Sequence, residues 1–203
     1  LTTGVSGPVD PALLRRDQRE RRSRIVRAAL RSLANSDYER VKVSDVARDA
    51  GVALGTLYRY FTSKEHLFAA VFLEWQEGLK RKLAKPAPAG DSERERVRDV
   101  LHRTLRAFQL QPQFYRVLVV LQTTGDPYAA EIFQSLDKIF AEIVSPAFEG
   151  PFDEDRKAVF HVLQAVLDQG LRSWIMGRLA IGDVYARVDE AIRLIYDHPP
   201  RVS

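Results

Sequence analysis

Between two short helix-forming runs, residues 43–50 and 54–61, stands Asp49-Ala50-Gly51-Val52, and this break constrains the fold more than any other feature. Helices shorter than about 12–15 residues are marginal in water, so neither run can stand alone. Each must be held by packing, and Val46, Ala47, Ala50 and Leu57 are small or apolar enough for a close crossing. A short Gly-containing turn between two such helices is the helix-turn-helix pattern, whose second helix can enter a major groove.

The rest of the chain reads as helix with no convincing strand. Ile25, Val26, Ala29, Leu30 and Leu33 recur at helical spacing in a run that starts near Asp17. Ser63 can cap a long helix whose stripe is Leu67, Phe68, Val71, Phe72, Trp75 and Leu79. Pro86-Ala87-Pro88-Ala89-Gly90 is the clearest linker, and Ser92 with Glu95 forms a capping box after it. The nearly continuous apolar run over 112–122 fits a strand or a helix, and is taken as helix because no pairing strand is nearby. Asp126-Pro127 opens one helix to about Val144, Asp153 another to about Met176, and Asp183 to Tyr196 the last. The expected fold is all-α, with nine helices in two domains. Residues 1–14 form a disordered arm, 15–63 a helix-turn-helix domain, and 64–203 a larger helical domain.

Charge is divided along the chain. Residues 1–85 hold 17 Lys and Arg against 10 Asp and Glu, a net of +7, whereas 86–203 carry a net of −3. A basic excess confined to one part points to a polyanion partner for that part. There is no cysteine, hence no disulfide and no thiolate metal site. His66, His102, His161 and His198 have no metal-ligand partners at the usual spacing, and no phosphate loop or nucleophile elbow is present. No enzymatic activity and no cofactor is expected. Neither a membrane span nor a secretory signal is legible, which gives a cytoplasmic expectation.

Phenol hydroxyls at Tyr58 and Tyr60 and the ammonium of Lys64 are suited to phosphate oxygens. The run GTLYRYFTSKEHL, Gly55 to Leu67, resembles the DNA-binding domain of the TetR family of transcriptional regulators. That resemblance implies a homodimer that binds double-stranded DNA at a palindromic operator. Position by position, it assigns DNA contacts to Ser44, Thr56, Tyr58, Tyr60 and Lys64, with Tyr60 and Lys64 on phosphates. Ala53 and Leu54 begin the recognition helix, where apolar side chains can meet thymine methyls. Many relatives have two threonines where this chain has Lys42 and Val43, so Lys42 stands in with a charge. Arg16 and Arg19, in the arginine-rich stretch 15–31, are assigned to phosphates beside them.

In the larger domain the resemblance implies a small apolar effector held between long helices. Phe72, Trp75, Phe108, Leu118 and Phe133 are the expected apolar lining, with Gln122, Gln164 and Asp168 as polar contacts. The last two long helices are expected to form the dimer, through Leu171, Trp174, Val188, Ile192 and Ile195. QRERRSRI, VALGTLYRYFTSKEHL and GDVYARVDEAIRLI are similar to the actinobacterial repressors of sterol catabolism, which makes an acyl-CoA the expected effector. A different class, a helical lipid-binding or interaction protein with the helix-turn-helix as mere scaffold, is the alternative; retention of specific DNA separates the two.

Overall fold

The computed structural model describes residues 9–197. Residues 1–8 of the expected arm, and His198, lie outside that range. Among the described residues all regular structure is helical: α1 (Arg16–Asn35), α2 (Val43–Asp49), α3 (Leu54–Tyr60), α4 (Lys64–Leu83), α5 (Glu93–Leu110), α6 (Pro112–Leu121), α7 (Pro127–Gln134), α8 (Leu136–Val144), α9 (Glu154–Ile175) and α10 (Ile181–Asp197). The single helix expected over 126–144 is α7 and α8, interrupted at Ser135; counted as one broken element, they complete the expected nine.

Local chemistry explains most helix starts. Ser63 Oγ accepts from the His66 N–H at 2.9 Å, so the first turn of α4 is capped as expected. Ser92 Oγ accepts from Glu95 N–H while Glu95 Oε2 takes the N–H of Ser92, a reciprocal box at α5. Asp126 Oδ1 takes the N–H groups of both Tyr128 and Ala129 at 2.9 Å. The last helix begins earlier than expected, at Ile181, and Asp183 turns back to accept the Ala180 N–H at 3.1 Å. Within the expected arm, Pro11–Leu13 form a turn of 3-10 helix and Leu14 is buried, an apolar anchor at the edge of the first helix.

The chain divides into two compact units. The first runs through Trp75 and also takes Arg116–Ser135. In it α1, α2 and α3 pack on one another around Ile25, Ala29, Leu33, Val46, Leu57 and Phe61, all fully buried. Each of the larger of these side chains contributes about 1.5–3 kcal/mol of burial, the support that two seven-residue helices require. Gly51, at φ 66°, turns the chain between them in a left-handed conformation that suits glycine. The unit boundary falls inside α4, because Leu67, Phe68 and Val71 of its first turns are fully buried.

The second unit holds Gln76–Tyr115 and the chain from Leu136. There α10 packs on α9 and α5, and α5 also meets α8 and α9. Asp189 on α10 accepts both guanidinium nitrogens of Arg98 at 2.8 and 2.9 Å, and lies 2.7 Å from Nε2 of His102. Gly170 lets α9 approach α10 closely: a Cβ there would lie 2.7 Å from Cγ1 of Val184.

Candidate nucleic-acid interface

Helix α3 has two faces. Leu57, Tyr60 and the following Phe61 turn inward and are buried, at spacings of three and one. Ala53, Leu54, Gly55, Tyr58 and Arg59 face solvent, with Thr56 partly covered. Leu54 is 43% and Tyr58 46% exposed, large side chains held away from a core that already contains Leu57 and Phe61. On α2, Ser44 is exposed, as is Lys42 at its N-cap position. The exposed face of α1 adds Arg16 and Arg19, of which Arg16 pairs with Glu20 at 3.1 Å on the surface. Such a pair is worth about 0–1 kcal/mol and is readily exchanged for another anion.

Two residues expected on phosphates are placed differently. Tyr60 is 6% exposed, because its position on α3 lies on the Leu57 face. Lys64 donates its ammonium to the Tyr38 carbonyl at 2.6 Å and lies 4.2 Å from the centroid of the Tyr38 ring. Burial lowers its pKa despite the nearby carboxylates of Glu39 and Glu65. Lys64 therefore holds the turn between α1 and α2 against the start of α4.

Several supporting residues were not singled out from sequence. Tyr38 donates its hydroxyl to Glu65 at 3.0 Å and packs edge-on against Phe68. Arg22, within the arginine-rich stretch 15–31, lies over the Phe61 ring at 5.0 Å, and burial lowers its pKa. Arg116, at the first unit's end of α6, pairs with Asp37 at 2.7 Å. Thr62 donates its hydroxyl to Asp126 at 3.1 Å, and its N–H to Nδ1 of His66 at 3.2 Å. Burial opposes ionisation of Asp126, but bonds from Ser63, the Ala129 N–H and Thr62 outweigh it and hold the carboxyl below its ordinary pKa. Burial, helped by Arg22 and opposed by Asp126, takes His66 down to about 4, so its ring is neutral at pH 7. Both turns that flank α2 and α3 are thus tied to residues 116–128 of the same unit.

The expected effector residues fall into both units. In the first, the Phe72 and Trp75 rings lie 5.5 Å apart, and Leu118, Gln122 and Phe133 are partly buried. In the second, Phe108 packs edge-on against Tyr115, whose hydroxyl donates to Asp168, with Oδ1 at 2.6 Å. Gln164 instead reaches Asp137 at 2.9 Å in an exposed bond. Of the expected dimer residues, Trp174 and Ile195 are partly exposed. Leu171, Val188 and Ile192 are each 1% exposed, already enclosed where α9 and α10 pack within one chain. The stripe that looked available in the sequence is the one the protomer itself buries. Among the described residues, no three His, Asp or Glu side chains are grouped to hold a metal, and no helix is long and apolar enough to cross a membrane.

Residues 25–71 match the family described as bacterial regulatory proteins of the tetR family, and 90–195 match the tetracyclin repressor-like C-terminal domain. This chain belongs to the TetR family. It is a DNA-binding regulator by that membership, and its helix-turn-helix is the family's N-terminal module. Among TetR-family relatives it is 33% identical to the HTH-type transcriptional repressor KstR of Mycolicibacterium smegmatis, covering 88% of each chain. It is 31% identical to KstR of Mycobacterium tuberculosis, covering 88% of this chain and 81% of that one. A solved TetR transcriptional regulator from Rhodococcus sp. RHA1 superposes with TM-score 0.74 at 28% identity, over 92% of this chain and all of the other. FadR of Bacillus subtilis, solved in complex with stearoyl-CoA, shares the fold at TM-score 0.61 and 18% identity, covering 85% and 96%.

Proposed function

We propose that this regulator is a homodimeric repressor that an apolar acyl-CoA effector releases from a palindromic operator. The observation that carries the DNA reading is the outward face of α3, where Leu54 and Tyr58 stand exposed on a helix whose other face is fully packed. Leu54 and Ala53 read thymine methyls, Tyr58 and Thr56 reach base edges or phosphate, and Ser44, Lys42, Arg16 and Arg19 neutralise the flanking backbone. Tyr60 packs on the inner side of α3, and Lys64 ties Tyr38 to the start of α4. Residues 15–63 are the reading domain, and residues 64–203 hold the effector and the partner protomer.

The dimer uses the outward side of α9 and α10. Gln169 accepts from Arg187 at 3.3 Å between these helices, whose exposed apolar side chains include Val162 and Leu194. These two are 53% and 49% exposed, and Met176 is 46% exposed further along α9. Trp174 and Ile195 flank the same surface. A two-fold dimer through this face presents two copies of α3 to two half-sites. The acyl-CoA assignment is supported by likeness to KstR and by the stearoyl-CoA bound to FadR. Footprinting on the chain's own upstream DNA, with and without a steroid acyl-CoA, tests the reading. A protected palindrome that the thioester releases supports it; a palindrome unaffected by thioesters refutes the effector and leaves the DNA assignment standing.

A further inference from the structure

Gln76 interrupts an otherwise apolar stripe on α4. By helical register it follows Phe72 and precedes Leu79, which are 2% and 8% exposed, and Gln76 itself is 7% exposed. Its Nε2 donates to the backbone carbonyl of Leu136, the residue that opens α8, at 3.2 Å. Its Oε1 is fully buried, and no hydrogen-bond donor among the described residues reaches it. Buried polar atoms are nearly always satisfied, so a lone buried acceptor asks for a partner.

The orientation of this amide is fixed by its neighbour. Leu136 offers an acceptor, so the NH2 group must face it and the carbonyl oxygen must face away. Flipping the amide would set two carbonyl oxygens against each other and gain nothing. What Oε1 can take is therefore a donor, not a second acceptor. We infer that Gln76 is the polar anchor for the effector, with Oε1 accepting a hydrogen bond from a hydroxyl on an otherwise apolar ligand. This rests on the effector reading above, and adds a residue and a selection rule to it: a hydroxylated ligand is preferred over its ketone. The single oxygen reads one O–H. No covalent step is involved.

The probes are the coenzyme A thioesters of a 3-hydroxy and a 3-oxo steroid acid, which differ only by the two hydrogens that separate the alcohol from its ketone at that carbon. Their binding to the full chain is measured by calorimetry, with operator binding in the absence of probe as the check on folding. The unaltered protein is expected to bind the hydroxy probe about tenfold more tightly, the effect of one well-placed hydrogen bond to an otherwise unpaired group. Gln76→Met, close in size and without the oxygen, is expected to bring the two affinities together while retaining operator binding. Equal affinities in the parent, or a preference that survives in Gln76→Met, overturn the inference alone. Failure of both probes to bind a chain that still holds its operator overturns the effector reading, and this inference with it.

Discussion

Lys64 donates to the carbonyl of Tyr38 at 2.6 Å while its ammonium lies over the same residue's ring, one cation closing the turn between α1 and α2 onto the start of α4. A hydrogen bond from a charged donor and a cation–π contact together suggest a stabilisation of about 1–3 kcal/mol. Lys64→Ala should therefore lower the thermal midpoint by several degrees. A phosphate ligand would behave differently: stability would hold, and the salt slope of DNA binding would fall by about one unit per protomer. Thermal melting with a salt titration distinguishes the two roles.

Leu54 and Tyr58 project from α3 without contributing to its core. Leu54→Ala and Tyr58→Ala should leave the melting temperature within about 0.5 kcal/mol equivalent of the parent. Operator affinity should nevertheless fall, by about 1–3 kcal/mol for a contact that discriminates bases, with relaxed preference at the affected positions. Binding measured on operator variants checks this; unchanged affinity for every variant would remove both residues from the interface.

The helix starts were legible because caps are local chemistry. Ser63, Asp126, Asp153 and the Ser92–Glu95 pair each satisfy N–H groups within three residues of themselves. Which apolar stripe faces inward was not legible on α9, because it is apolar on more than one side and only packing against α10 selects the Leu171 side. Tyr60 and Lys64 posed the same problem. Their residue types suit phosphate, but the direction of α3 buries Tyr60, and Tyr38 engages the partly exposed Lys64. The break at Ser135 had no signal, since no Gly or Pro stands there.

His66 sets a pH limit. Its pKa falls from an ordinary 6.5 to about 4 in the folded chain, so between these values the unfolded chain binds the extra proton. The stability due to the neutral ring is complete above about pH 6.5 and is lost as pH falls toward 4. Replacing it by His66→Gln, which can still accept from the Thr62 N–H, should flatten the pH dependence of denaturant unfolding over that window. An unchanged slope would mean that another group governs it.

Gly170 allows α9 and α10 to touch. Gly170→Ala places a methyl 2.7 Å from Val184 Cγ1 and should cost about 1–3 kcal/mol through overpacking. Val184→Ala in the same chain should recover part of that loss, a coupling that a double-mutant cycle measures directly. Simple additivity of the two changes would contradict the close approach.

The outward face of α9 and α10 should hold the partner protomer. Val162→Glu with Leu194→Glu places exposed charges that a single chain tolerates and a dimer interface does not. Sedimentation should show a folded monomer with weakened operator binding. A variant that remains a dimer would move the interface elsewhere.

The central claim is that this chain reads DNA by sequence, and selection from a random duplex library at about 0.15 M salt tests it most directly. One palindrome with two half-sites should be enriched, bound at least about 10³-fold more tightly than bulk duplex. Recovery of no enriched sequence, with only salt-sensitive uniform binding, would contradict it.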